Sequence, residues 1–323
     1  MQSKDRNTKK DEWKPPWTLR VRRRIERALG ILIYRLARRI SRPSALKLAN
    51  SLGSLIYTAF RKYRMVCLDG LTFAFGDKYS HEEKLQLARK SQTNLARTVM
   101  DFLRFEDYSR EEMLGLCVDV SGREHMEDAM ERSRGGVIGL TGHLGSWEYC
   151  GAWVVASGWD LCAVGKPQRD PGITKLMLDL RSAVGIKHIP TSKRGNLDLI
   201  RALKSKNTIL GLLSDQNGGK DGIFVDFFGI PASSVRGPAF LALRYEVPVV
   251  PIFALWEGDN YRIEILPEVE LVRSGDEEAD ILENTQRFQK VIEGMVTKYP
   301  EQWLWAHRRW KTRPPGEPPL HLH

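Results

Sequence analysis

The chain predicts an α/β fold: a mostly parallel sheet flanked by helices, preceded by a basic amphipathic helical region. Three observations carry that expectation. Beyond residue 111, short apolar runs alternate with helix-compatible stretches, the rhythm of strand–helix–strand units in a parallel sheet. Between residues 19 and 40, apolar side chains recur every three or four positions with arginines filling the gaps, as on an amphipathic helix. The charge is also divided. Residues 1–64 hold 18 Lys and Arg against 4 Asp and Glu, and the rest of the chain holds 32 against 36. The net charge of +10 therefore belongs to the first fifth, where it favours phosphates of nucleic acid or of anionic lipid.

Taken in order, residues 1–18 are polar and basic, with Pro15-Pro16 as a breaker, and predict a disordered tail. The following helix, 19–40, carries Val21, Ile25, Leu29, Leu32, Ile33, Leu36 and Ile40 on its apolar stripe. Arg22, Arg23, Arg24, Arg27, Arg35, Arg38 and Arg39 occupy much of the remainder. Pro43 interrupts, and a second helix is expected over 45–63. Two readings of residues 19–64 stand at this point: an interfacial pair with arginines on anionic head groups, or helices packed on the main domain with solvated arginines. The region lacks the patterns of an RNA-binding sheet or a zinc finger, so nucleic acid is not an expected partner.

Ser80-His81-Glu82-Glu83 reads as a capping box opening a helix to about residue 105. Strands are expected at 137–140, 161–164, 186–189, 208–213, 247–255 and 261–266, and a last helix at 277–299. The expected organisation is a tail to 18, interfacial helices over 19–64, an α/β domain over 65–315 and a tail over 316–323. A chain 42% hydrophobic and 28% charged is globular. The four cysteines form no CxxC pair, which disfavours a disulfide framework or a metal site and predicts reduced thiols in a cytosolic setting. No secretory signal is expected. The charge-free run over 48–60 falls short of the roughly 20 apolar residues of a membrane span.

The stretch Thr141-Gly142-His143-Leu144-Gly145-Ser146-Trp147-Glu148 places a histidine and a carboxylate at a strand-to-helix turn, where α/β proteins bind ligands. Imidazole changes charge near neutral pH, and a carboxylate can hold one tautomer, so the pair reads as a general base with its orienter. On one continuous helix residues five apart would diverge by about 140°. The pairing therefore requires His143 in the turn and Glu148 in the first helical turn, near its positive end. The plainer readings are a structural histidine and a charge at a helix start. Lys166, Arg169, Arg181 and Arg194 follow, as phosphate partners or solvated charges. Asp215 ends the apolar run 208–213, as a site-lining carboxylate or a cap. His307 lies among Trp303, Trp305, Arg308, Arg309 and Trp310, which read as a packed terminal helix with snorkelling arginines or as a head-group interface. No carboxylate adjoins His307 in sequence, so it is not the expected base.

The run 143–148 resembles the HxxxxE motif of the lipid A biosynthesis (lauroyl/myristoyl) acyltransferases, within the wider lysophospholipid acyltransferase superfamily. Four further blocks resemble the same family in order. They are Gly165-Lys166-Pro167 through Pro171, with lysine where the family has arginine; Leu213-Ser214-Asp215-Gln216-Asn217; Phe227-Phe228-Gly229-Ile230-Pro231-Ala232 with Arg236-Gly237-Pro238-Ala239; and residues 300–314.

The resemblance implies a membrane-associated O-acyltransferase moving a fatty acyl chain from an acyl thioester to a glycolipid hydroxyl. His143 is the implied base and Glu148 its orienter. Lys166, Arg169, Arg181, Asp215 and Arg236 are the implied substrate-binding residues. The donor is acyl carrier protein or coenzyme A, as co-substrate; no cofactor and no metal is implied. The acceptor is a lipid A precursor or, alternatively, a phosphatidylinositol mannoside or lysophospholipid. A thioester hydrolase would use the same pair with water, and a non-catalytic membrane or nucleic-acid binder would use only residues 19–64. Many family members carry an N-terminal spanning helix. Here the arginine-rich stretch replaces it, which points to peripheral attachment at the cytoplasmic face of the inner membrane.

Overall fold

A computed structural model describes residues 17–168, 170–191 and 193–320, with side chains 18–23, 25–26 and 193–194 left aside. Of the expected tail over 1–18, residues 1–16 lie outside the described residues, as do Arg169, the Arg194 side chain and residues 321–323, whereas residues 17 and 18 already belong to the first helix.

Four helices come first: α1 (Trp17–Arg39), α2 (Arg42–Ala59), α3 (Arg61–Phe75) and α4 (His81–Phe102). Ser41 caps α2 by accepting the Ser44 N–H, with Pro43 in the first turn, where its missing N–H costs nothing. The expected second helix breaks at Phe60 (φ −103°, ψ 80°), which ends α2 and starts α3. No glycine or proline marks this corner. The expected boundary at 64/65 falls inside α3, whose Cys67, Leu68 and Leu71 enter the main core. The Ser80–Glu83 capping box is present on α4, whose regular helix stops at Phe102.

The remainder follows as α5 (Arg110–Gly115), β1 (Cys117–Ser121), α6 (Arg123–Arg132), β2 (Val137–Thr141), α7 (Trp147–Ala156), β3 (Asp160–Gly165), α8 (Pro171–Ala183), β4 (Lys187–Pro190), α9 (Lys193–Lys204), β5 (Thr208–Leu213), β6 (Ile223–Phe227), β7 (Ile230–Ser234), α10 (Gly237–Tyr245), β8 (Val249–Glu257), β9 (Asn260–Ile265) and α11 (Glu277–Lys298). The main sheet has the order β1-β9-β8-β2-β5-β3-β4. Its strands are parallel except that β9 runs antiparallel to β8 and carries β1 with it. The fold is thus α/β, as expected. Strands β1, β6 and β7 are additions to the expected set. β1 is a largely exposed edge, and β6–β7 is a small hairpin outside the sheet. Such segments lack the long apolar runs of buried parallel strands, which β2 and β8 do have.

Two core clusters sandwich the sheet. One holds side chains of α3, α9, α10 and α11, the other those of α5, α6, α7 and α8. The chain leaves β2 by α7 on one face and leaves β5 toward α10 on the other. Their carboxyl ends therefore form the crevice of a topological switch point, where ligands bind in open α/β sheets.

The N-terminal helices are fastened to this body. Arg42 of α2 donates to the fully buried Asp101 of α4 at 2.8 Å, and the Tyr261 hydroxyl of β9 donates to the same carboxylate at 2.6 Å. Arg27 of α1 forms a two-bond pair with Asp170, the N-cap of α8, at 2.8 and 3.1 Å. Arg38 pairs with Glu106 and Asp107. Packing thus accounts for these arginines, while Leu29, Leu32, Leu36, Leu55 and Phe60 stay more than 40% exposed. No described helix is long and apolar enough to cross a membrane.

Candidate active site

The site is built on one register. Thr141 of β2 lies beside Leu213 of β5, and two residues beyond each stand His143 and Asp215. Asp215 accepts three hydrogen bonds: the His143 N–H at 2.7 Å, the His143 ring at 2.8 Å through Nδ1, and the Trp303 indole N–H at 2.8 Å. Glycines permit the approach. A Cβ on Gly142 would stand 3.1–3.2 Å from atoms of the Asp215 carboxyl group. Gly145 adopts φ +62°, and a Cβ there would collide with the Ala254 carbonyl. Ser146 then caps α7 by accepting the Tyr149 N–H.

Asp215 is 1% exposed. Burial alone would raise its carboxyl, but the His143 charge and hydrogen bonds from the His143 ring, its backbone and Trp303 outweigh burial and hold it at about 2. An ionised carboxylate accepts only, so the His143 proton sits on Nδ1. The Nε2 lone pair then faces outward, with the Gln216 carboxamide nitrogen 3.3 Å away. This is an imidazole with a fixed tautomer.

Glu148 is not the orienter. Its carboxylate binds Arg181 of α8 through both oxygens, with Arg181 Nε at 2.9 Å from Oε2. Both side chains are largely buried, at 7% and 19% exposure. The Gly145 turn carries Glu148 into the first turn of α7, facing α8, while the adjacent strand end brings Asp215 to the imidazole. Glu148 and Arg181 thus clamp two wall helices together. Lys166 is exposed just past β3. Arg236 precedes α10 and pairs with Glu278 of α11 at 2.6 Å, so no described contact joins it to His143.

The C-terminal segment closes the site, and sequence reasoning misses most of its contribution. It is a short 3₁₀ turn at Pro300–Gln302 followed by irregular chain rather than a packed terminal helix. The Leu304 N–H donates to the His143 carbonyl at 3.0 Å. Trp303, Trp305 and Trp310 are at most 4% exposed, which excludes them from a head-group interface. His307 accepts the Asn217 N–H at its Nε2, 2.9 Å away. Burial, aided by the charges of His143, Arg309 and Lys311 against that of Asp215, pushes it down to about 4. It is neutral near pH 7, and its proton is on Nδ1. Arg309 is fully buried, bonded to Ser233 O, Ser234 Oγ and Gln289 Oε1. Burial lowers its guanidinium to about 10, against the opposing pull of Asp215.

The arrangement suits removal of a proton from an incoming nucleophile at a switch-point crevice, with a buried carboxylate stabilising the imidazolium. Residues 14–312 match the family model described as bacterial lipid A biosynthesis acyltransferase. The chain is 25% identical to a phosphatidylinositol mannoside acyltransferase of Mycolicibacterium smegmatis, covering 69% of this chain and 72% of that one. It is 24% identical to a lipid A biosynthesis acyltransferase of Haemophilus influenzae, over 84% and 83% of the two chains. It is also 24% identical to the lipid A biosynthesis lauroyltransferase of Escherichia coli, over 90% and 92%. With the family model spanning nearly its whole length, the chain belongs to the bacterial lipid A biosynthesis acyltransferases and is an acyltransferase.

Proposed function

We propose that this protein transfers a fatty acyl chain from an acyl thioester, on acyl carrier protein or coenzyme A, to a hydroxyl of a glycolipid at a membrane surface. The observation that carries the reading is the 2.8 Å contact from His143 Nδ1 to ionised Asp215, which leaves Nε2 as the basic nitrogen. A hydroxyl is a poor nucleophile until a base removes its proton. In the proposed step the acceptor O–H gives its proton to His143 Nε2 as its oxygen bonds the thioester carbonyl carbon. The C–S bond then breaks, and the leaving thiolate takes the proton from the imidazolium. Asp215 stabilises that imidazolium. His307, neutral with its proton on Nδ1, is the proposed donor to the developing oxyanion. The Glu148–Arg181 pair holds the wall between α7 and α8. Lys166, Arg169 and Arg236 are the proposed phosphate partners of the acceptor.

The acceptor is a lipid A precursor in the leading reading. The mycobacterial relative favours a phosphatidylinositol mannoside in a second one. The exposed Leu29, Leu32, Leu36, Leu55 and Phe60, with their neighbouring arginines, support peripheral attachment of residues 19–64 to the cytoplasmic face of the inner membrane. The test uses purified protein with a labelled acyl thioester and each acceptor. Label moving to glycolipid, lost in His143→Ala, is the expected result. Free fatty acid formed at the same rate with or without acceptor would establish hydrolysis instead.

A further inference from the structure

The basic nitrogen of His143 already has a neighbour. Gln216 Nε2 lies 3.3 Å from His143 Nε2. Because Nδ1 holds the proton against Asp215, Nε2 is an acceptor, and only the N–H end of the carboxamide is compatible with it. The position opposite the lone pair is the one the acceptor hydroxyl must occupy in the proposed reaction. The contact is long for a hydrogen bond, whereas a hydroxyl donor typically closes to about 2.8 Å.

The backbone around Gln216 is anchored on both sides. Asp215 precedes it with its three bonds. Asn217 follows, giving its N–H to His307 and accepting from the Gly219 N–H at 2.7 Å and the Thr312 hydroxyl at 3.0 Å. The Gln216 side chain itself is half-buried, and its described contact is the 3.3 Å one to His143. The carboxamide is thus tethered beside the base on a fixed loop.

We infer that Gln216 is a displaceable stand-in for the acceptor hydroxyl, occupying the base until a lipid acceptor removes it and so withholding the base from water. A lipid acceptor has remote contacts whose binding energy can drive the displacement; a water molecule has none. In an enzyme lacking the carboxamide, water would give its proton to Nε2 while its oxygen bonds the thioester carbon. The C–S bond would break, the thiolate would take the proton back, and fatty acid and thiol would leave. Gln216 on this account positions the base for transfer over hydrolysis. The inference rests on the proposed function of His143.

The experiment measures acyl-thioester hydrolysis without acceptor and transfer with acceptor, in wild type, Gln216→Ala and Gln216→Met. Methionine keeps the volume and loses the N–H. Both variants are expected to raise the hydrolysis-to-transfer ratio about tenfold, the effect of one hydrogen bond on competition for the base. A second readout needs no turnover: carbethoxylation of His143 by diethyl pyrocarbonate, followed by peptide mass spectrometry, should be several-fold faster in both variants. A wild-type ratio together with a wild-type modification rate in Gln216→Met, or in a folded Gln216→Ala, overturns the inference. A wild-type protein that transfers no acyl group overturns the proposed function and this inference with it.

Discussion

Replacing Asp215 by asparagine separates shape from charge at the base. The wild-type carboxylate takes two donors on Oδ2, the His143 N–H and the Trp303 indole, and one on Oδ1, the His143 ring. Asparagine can keep the two Oδ2 bonds with its single carbonyl oxygen, which turns its NH₂ onto His143 Nδ1. Nδ1 must then accept, so the ring proton moves to Nε2 and the lone pair points away from the substrate. The loss should fall within the 10²–10⁴ that general-base catalysis supplies, or about 3–5 kcal/mol of barrier at 1.36 kcal/mol per tenfold. Initial rates of label transfer give kcat and KM separately; kcat should fall and KM stay within about threefold, since Asp215 is enclosed behind the imidazole. Thermal unfolding should show a retained fold, because the shape and the two Oδ2 bonds persist and Nδ1 keeps an amide partner. A folded Asp215→Asn protein with kcat within about threefold of wild type would refute the tautomer argument.

Three further outcomes follow from the same geometry. Glu148→Ala leaves the Arg181 guanidinium largely buried without its carboxylate, which should cost about 3–5 kcal/mol. Glu148→Ala/Arg181→Met should recover part of that loss in a double-mutant cycle by denaturant unfolding. His307 is held at about 4 in the folded chain, below its ordinary range, so its contribution is present above about pH 6.5 and is lost as pH falls through 4; His307→Asn should flatten the stability curve across that window, and an unchanged slope would count against the buried neutral imidazole. Gly142→Ala sets a methyl 3.1–3.2 Å from atoms of the Asp215 carboxyl group, and its kcat should fall at least tenfold with circular dichroism unchanged.

Much of this protein is legible in its amino-acid order. Apolar runs at 208–213 and 247–255 form β5 and β8 because central parallel strands are buried on both faces. The Ser80–Glu83 cap and helix α11 follow from local hydrogen-bonding rules. His143 is identifiable from its turn, since glycines and a strand end are local features. Its partner is not. Spacing favours Glu148, five residues away, and leaves Asp215, 72 residues away, only a site-lining candidate. Local spacing records how a chain turns; it does not record which strand lies beside which. Two intervening strands, β3 and β4, insert on the far side of β5, so the contact between β2 and β5 exists only in the assembled sheet. The same reason hides the roles of Gln216, Trp303 and His307, which the C-terminal segment and the loop after β5 bring to the base only through tertiary packing. The α/β class, the basic helical N-terminus and the placing of His143 at a strand-to-helix turn are therefore properties of local sequence. Which carboxylate meets that imidazole is a property of the folded sheet, because strand adjacency and parallel register arise only there.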